Sequence, residues 1–233
     1  MTIDQRTEQE FLSSYNIHDF DVPLTSVDLV IFTVREQQLH VLLVRRSEHP
    51  YRGQWALPGG FIDIRRDHDL DATALRKLRE KTGVATPYLE QLQGFGSATR
   101  DPRGWSATFA YFALIASEGL ELLHGGGTDA ASWHKVDGVG VDHALAFDHA
   151  TILETGVNRL RARVEHSALP VHLLPEEFTL SDLQKVYEIV VGRQVDKSAF
   201  RKRIKEGEYL EEIPGKMRHA SNRPAQLYRA KMP

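Results

Sequence analysis

The hydrophobic pattern changes period once along this chain, and that change restricts what it can fold into. In the first half, short β-rich runs surround one helical stretch. Val27–Val34 (VDLVIFTV) and Leu39–Val44 (LHVLLV) are dense in branched apolar residues and joined by a polar turn, the pattern of a hairpin. Trp105–Ile115 (WSATFAYFALI) reads as a further strand. Between them, Asp69 or Asp71 can cap a helix whose Ala74, Leu75 and Leu78 share one side, and Gly83 suits its C-terminal cap. Strands with one helix make an α+β unit.

From Asp148 the period turns helical. Ile152, Leu153, Val157, Leu160 and Val164 repeat at helical spacing over Asp148–Glu165, and Pro170 and Pro175 then punctuate a loop. Thr179 with Asp182 forms a capping-box-like start to a helix striped with Leu183, Val186, Tyr187 and Val190, which Gly192 ends. Asp196 caps a second helix, Lys197–Lys205. Short strands at Tyr209–Ile213 and Gln226–Ala230 flank a basic loop. Helix, turn, helix and two-stranded wing is the order of a winged helix-turn-helix. The expected division is residues 1–150 and 151–233, the second part comprising a linker helix and the winged module.

With 41% hydrophobic and 26% charged residues over 233 positions, the composition is that of a soluble globular protein of one large or two modest domains. No apolar run approaches the ~20 residues that span a membrane, and the N-terminal MTIDQRTEQEF does not read as a signal peptide. The lack of cysteine excludes disulfides and thiolate zinc sites and agrees with a reducing cytoplasm. The net charge of −3 hides an asymmetry: residues 1–150 carry 14 Lys and Arg against 21 Asp and Glu, whereas residues 151–233 carry 15 against 11. From Arg193 onward 11 bases face 5 acids, a distribution that points to an anionic partner, nucleic acid first.

At about 100° per residue, Phe200 and Ile204 fall together and face a core, while Ser198, Arg201, Lys202 and Lys205 lie opposite or nearly so. An apolar back with a basic, hydrogen-bonding front fits a DNA major groove. The candidate contacts are Lys197, Ser198, Arg201, Lys202, Arg203 and Lys205 on the helix, with Lys216, Arg218, His219, Arg223 and Tyr228 in the wing. Some only position the protein on phosphates. Arg201 is the candidate for bidentate bonding to guanine.

The stretch Leu57–Val84, LPGGFIDIRRDHDLDATALRKLREKTGV, strongly resembles the Nudix box, G-x5-E-x7-R-E-U-x-E-E-x-G-U with U aliphatic. Gly60 matches its opening glycine, and Arg76, Leu78, Glu80, Gly83 and Val84 match its end. The intervening loop is two residues too long. The first box glutamate therefore falls on His68 counted back from Arg76, or on Arg66 counted forward from Gly60. The next three glutamates become Lys77, Glu80 and Lys81. The resemblance implies the Nudix fold, a mixed sheet between helices, over roughly residues 20–150.

Nudix hydrolases cut a diphosphate linked to a nucleoside. Carboxylates at i, i+3 and i+4 converge on one helix face and hold Mg²⁺, which needs oxygen ligands and neutralises charge on the pyrophosphate. Here those positions offer one carboxylate and two ammoniums, and lysine donates only and repels a divalent cation. Neither a metal site nor ordinary Nudix hydrolysis is expected on this helix. The pocket can outlive the chemistry. Arg76 and Glu80, at i and i+4, can still brace it. Gly59 and Gly60 shape its turn, and Lys77 or Lys81 either stands in for the metal as counter-charge or is simply an exposed helix lysine. Arg46, Arg52, Gln54, Trp55 and Arg103 are further candidates by arginine–phosphate and aromatic–base chemistry.

A Nudix-like domain with an altered box, followed by a winged helix, resembles the NrtR family, Nudix-related transcriptional regulators of NAD metabolism. LAFDHATIL at Leu145–Leu153 and NRPAQLYR at Asn222–Arg229 support the resemblance, which covers nearly the whole chain. It implies a bacterial cytoplasmic homodimer that represses NAD synthesis or salvage genes from a palindromic operator, with no membrane association. ADP-ribose or a related nucleotide is then an effector, not a cofactor, and weakens DNA binding. The Asp148–Glu165 helix is the expected lever. Asp148 and His149 read as a helix-start acid beside a polar or core histidine rather than metal ligands. The competing expectation is an ADP-ribose pyrophosphatase that recruits Asp63, Asp67, Asp69 and Glu80 instead.

Overall fold

The computed structural model describes residues 7–85, 88–118, 122, 128–218 and 224–231. A short helix, α1 (Glu8–Ser14), leads through a 3-10 turn at Ile17–Asp19 into β1 (Leu24–Arg35). β2 (Gln38–Arg46) returns antiparallel to it. The turn residues Glu36 and Gln37 both have positive φ, 50° and 58°, which matches the twist of a two-residue hairpin. Next come β3 (Trp55–Ala56), β4 (Gly59–Phe61), α2 (Leu70–Thr82), β5 (Tyr88–Ser97), β6 (Ser106–Leu114), β7 (Thr128–Lys135) and α3 (His149–Glu165). A 3-10 turn at Leu169–Leu173 precedes β8 (Phe178–Thr179), α4 (Leu180–Val191), α5 (Lys197–Glu206), β9 (Leu210–Arg218) and β10 (Ala225–Ala230).

The first sheet runs β3-β2-β1-β6-β5, with β4 added to β1 and β7 to β2. β1 and β6 are parallel from Leu24↔Ser106 to Phe32↔Leu114, and the remaining pairs are antiparallel. The pleat sends Val27, Leu29 and Ile31 to one face, against Ala74 and Leu78 of α2. Val30 and Phe32 go to the other, with Ile152, Leu153 and Val157 of α3. Both faces are covered, which is why VDLVIFTV is almost continuously apolar. α3 comes close enough that a Cβ on Gly156 would lie 3.1 Å from Val30 Cγ2. This is the mixed sheet between helices implied by the Nudix resemblance.

The same α3 places Leu160 and Val164 in a cluster with Leu183, Val186 and Val190 of α4, so one core continues from the sheet into the C-terminal module. Arg161 joins them further: its Nε donates to Val190 O at 3.1 Å and a terminal nitrogen donates to Gly138 O at 2.7 Å. Asp69, not Asp71, caps α2 by accepting from Ala72 N at 2.7 Å, while Asp71 accepts the Tyr111 hydroxyl at 2.6 Å. Gly83 and Gly192 close α2 and α4 with φ of 70° and 73°, the left-handed region that suits glycine. Thr179 and Asp182 form the capping box of α4, and Asp196 caps α5.

β9 and β10 pair antiparallel, and β8 completes a three-stranded sheet. The wing strand is longer than its sequence suggests. Pairing of Met217 with Gln226 and of Arg218 with Ala225 carries β9 through Lys216 and Arg218, which sequence patterning assigns to the loop. His219 and Arg223 lie outside the described residues. β5 and β7 carry too little apolar periodicity to be read as strands; their ladders are supplied by β6 and β2.

Candidate functional site

A cleft of about 660 Å³ opens between β4, the loop that follows it, α2 and the turn before β6. Its entry depends on two glycines. A Cβ on Gly59 would lie 2.2 Å from Asp28 Oδ1 and 2.5 Å from Val27 O, so β4 can pair with β1 there only as glycine. Gly60 has φ of 147°, and a Cβ on it would meet Lys77 Nζ at 3.0 Å. The Lys77 ammonium therefore rests against the glycine strand, on the cleft wall, with Glu80 Oε2 3.7 Å away.

Arg76 braces this wall. Its Nε donates to Asp67 Oδ1 at 2.7 Å, a terminal nitrogen reaches Asp67 Oδ2, and the other donates to Glu80 Oε1 at 3.0 Å. Asp67 also accepts from the Thr73 hydroxyl and from Asp63 N, each at 3.0 Å. The Arg76 hydrogen bonds, ahead of those from Asp63 and Thr73, hold the Asp67 carboxyl far below the usual carboxylate range. The acid that meets Arg76 is thus neither His68 nor Arg66 but the residue between, because the longer loop turns back through Asp63.

The other wall is a second buried polar group. Arg100 donates to both oxygens of Asp148, at 2.9 and 2.8 Å, and approaches Asp28 Oδ2 at 3.6 Å. His149 Nδ1 accepts from Leu57 N at 2.9 Å, which leaves its proton on Nε2, 3.7 Å from Asp28 Oδ2. Burial, only partly opposed by Asp28, pushes the His149 pKa down. Asp148 makes no cap hydrogen bond to α3; its carboxylate serves Arg100. No group of three His, Asp or Glu side chains suited to a metal ion occurs among the described residues.

Three cations in the cleft carry no carboxylate partner among the described residues: Arg46, Arg65 and Arg66. Arg46 donates to Pro50 O at 2.7 Å and lies 4.8 Å from the Phe147 ring centre. Burial and then the Arg103 charge disfavour its protonated form. Arg103 is held by Asp101, with its guanidinium carbon 5.1 Å from the Phe61 ring centre. Cations over two aromatic faces, with Lys77 between the walls, suit an anionic ligand with flat rings.

Of the residues singled out from sequence, the cleft gathers Arg46, Gly59, Gly60, Arg76, Lys77, Glu80 and Arg103. It does not gather Arg52 and Gln54, which are exposed in the β2–β3 turn, or Trp55, whose ring packs on His134 at 4.5 Å on the α3 side of the sheet. Lys81, one turn along α2 from Lys77, is 5% exposed and does not line the cleft. Asp28, Arg100, Phe61 and Phe147 were not singled out. Asp28 had a signal, a lone acid inside an apolar strand; the aromatic pair had none.

The four carboxylates needed for a displaced metal site are all engaged: Asp67 and Glu80 by Arg76, Asp69 by the α2 cap, and Asp63 by Arg65 N at 3.1 Å.

On α5, Lys197, Ser198, Arg201, Lys202 and Lys205 are exposed, whereas Phe200 and Ile204 are buried. Arg203 turns inward. It sits 4.5 Å from the Tyr187 ring centre and donates to Glu165 O at 2.9 Å and to the Tyr187 hydroxyl at 3.1 Å. Three residues beyond Phe200, it lies on the flank of the buried stripe. In the wing, Lys216 is paired with Glu177, Arg218 donates to Asp182 Oδ2 at 2.7 Å, and the Tyr228 hydroxyl reaches Glu212 at 3.1 Å. All three are paired with acids of their own chain, and Lys216 and Arg218 remain exposed.

Comparison with known proteins matches both parts. Residues 23–156 match the model of the NUDIX domain, and residues 170–230 that of the NrtR DNA-binding winged helix domain. An ADPR responsive transcriptional repressor, NtrR, of Acinetobacter baylyi is 44% identical over 96% of this chain and 88% of its own length. The crystal structure of Shewanella oneidensis NrtR complexed with a 27mer DNA is 41% identical, with a TM-score of 0.82 over 89% of this chain and 93% of that one. The NUDIX domain of the same protein complexed with ADP ribose is 44% identical, with a TM-score of 0.62 over 66% of this chain and 99% of that one.

Proposed function

The chain belongs to the NrtR family, and from that premise we propose that it is a DNA-binding transcriptional repressor of NAD synthesis or salvage genes, relieved by ADP-ribose or a related NAD-derived nucleotide. It works in the cytoplasm as a homodimer on a palindromic operator. Residues 1–150 sense the nucleotide, and residues 151–233 hold the DNA. The observation that carries the reading is the Lys77 ammonium against Gly60, inside a nucleotide-sized cleft and on the helix face where a hydrolase keeps its metal.

In this reading Lys77, Arg46 and Arg103 receive the diphosphate, and Phe61 and Phe147 offer faces for rings. On α2 two lysines flank the one remaining box acid, Glu80, which is itself bound to Arg76, so in this reading the helix holds no Mg²⁺ and the nucleotide is bound without being cut. A regulator that kept its signal intact would need such a site. DNA is met by the exposed Lys197, Ser198, Arg201, Lys202 and Lys205 face, with Lys216, Arg218 and Tyr228 joining only if they exchange their acids for phosphate. Two such faces must sit about 34 Å apart to read two half-sites. Arg100 touches both the cleft and the start of α3, and α3 shares its core with α4, so a ligand that changes Arg100's partners biases how the winged modules are held.

The test is a titration of labelled operator DNA with and without ADP-ribose across a salt series. Expected are binding with a negative salt slope and release by the nucleotide. Lys77→Ala should weaken ADP-ribose binding roughly tenfold, the scale of one lost charge-assisted contact, whereas Lys81→Ala should not. Salt-independent binding refutes the DNA assignment, and Mg²⁺-dependent turnover of ADP-ribose abolished by Glu80→Ala refutes the retired site.

A further inference from the structure

The loop between β4 and α2 is longer than the Nudix box spacing, and the extra length is taken up by a closed turn. Asp63 closes it. Its carbonyl oxygen accepts from Arg66 N at 2.9 Å and from Asp67 N at 2.8 Å, and its Oδ1 accepts from Arg65 N at 3.1 Å. A side chain that bonds the backbone of its own turn fixes the local chain. Asp67 in turn accepts from Asp63 N at 3.0 Å and is clamped by Arg76, so the turn is tied to α2. Arg65 and Arg66 stand on this fixed turn, both exposed and both lining the nucleotide cleft.

Their charge is surplus to a diphosphate. Deeper in the cleft Arg76 is held by Asp67 and Glu80, Arg100 by Asp148 and Arg103 by Asp101. Lys77, Arg46 and Arg103 already face the diphosphate in the reading above. Among the described residues, neither the Arg65 nor the Arg66 side chain has an ion pair or a hydrogen bond. Arg66 stands where the box, counted forward from Gly60, has an acid, so the sign of the charge at the lip is reversed. Adjacent guanidiniums repel one another until an anion joins them, and their forked donors match phosphate oxygens.

We propose that Arg65 and Arg66 form a subsite for a phosphomonoester, and that the cleft takes an ADP-ribose-like nucleotide with a third phosphate, esterified to one of its riboses, more tightly than ADP-ribose itself. A monoester carries close to two negative charges at pH 7, which matches two unpaired arginines. The inference rests on the nucleotide cleft proposed above and narrows its ligand.

The test is calorimetry on the full chain with ADP-ribose, its 2′-phosphate on the adenosine ribose and its 1″-phosphate on the distal ribose. One of the two esters should bind about tenfold tighter than ADP-ribose at low salt, the scale of two solvent-exposed ion pairs acting together. Whichever ester gains identifies the ribose at the lip. The gain should shrink as salt rises, and again at pH 5, below the second pKa of the monoester at about 6. Arg65→Ala/Arg66→Ala should erase the gain and leave ADP-ribose affinity unchanged, while Arg65→Lys/Arg66→Lys should keep part of it. Equal affinity for all three nucleotides, or a gain that survives the alanine pair, overturns the inference. If the esters gain nothing while ADP-ribose still binds and releases the unaltered chain from DNA, the repressor reading stands. If neither ADP-ribose nor an ester binds, the reading of the cleft falls as well.

Discussion

Removing the Arg76 guanidinium isolates one buried carboxylate. Asp67 has a side chain 2% exposed, and it is satisfied by two Arg76 nitrogens, the Thr73 hydroxyl and Asp63 N. In Arg76→Ala the last two donors remain, so the penalty should sit at the low end of the ~3–5 kcal/mol found when one partner of a buried pair is lost. A loss of ~3 kcal/mol corresponds to a fall in Tm of ~6–12 °C for a chain of this size. Thermal unfolding of the wild type, Arg76→Ala, Asp67→Ala and the double variant closes a cycle, and the two single losses should not add. The pH dependence supplies a second reading. The native pKa of Asp67 is depressed, so its contribution is present above the unfolded value of about 3.9 and is lost as pH falls below it. The gap between wild type and Arg76→Ala should therefore narrow from pH 5 to pH 3. A deficit under ~1 kcal/mol at pH 7, well below the range for a broken buried pair, or strict additivity with Asp67→Ala, would refute the reasoning.

Other outcomes follow from the same geometry. His149 is buried with a lowered pKa, so the stability it contributes is present above the unfolded value of about 6.5 and is lost as pH falls below it. Denaturant titrations from pH 7 to pH 5 should show the wild type weakening and His149→Gln weakening less. Gly59→Ala puts a methyl 2.5 Å from Val27 O, so β4 must shift, and calorimetry should show loss of nucleotide binding in a chain that still binds DNA. On α5 the two arginines should separate. Arg201→Ala should weaken operator binding by about 1–3 kcal/mol if it pairs with guanine without moving Tm, whereas Arg203→Ala should lower Tm because its guanidinium joins Tyr187 to Glu165 O.

What the sequence determined by itself is what local rules control. The Asp196 cap, the left-handed Gly83 and Gly192, the stripe of Phe200 and Ile204, and the replacement of two box glutamates by Lys77 and Lys81 are each set by a few neighbouring residues. Together they specify a Nudix-like unit, a winged helix and an altered box. The tertiary structure decided what depends on residues far apart in the chain. β5 and β7 are strands because β6 and β2 supply their hydrogen bonds. Trp55 belongs to the α3 side because the sheet has two faces. Arg203 turns inward because Tyr187 and Glu165 O stand beside it, and Lys77 lines the cleft against Gly60 of β4 whereas Lys81 does not line it. Side-chain type follows from composition and spacing, but a partner 48 or 92 residues away, as for Arg100 with Asp148 or Leu57 with His149, exists only once the sheet and α3 have packed.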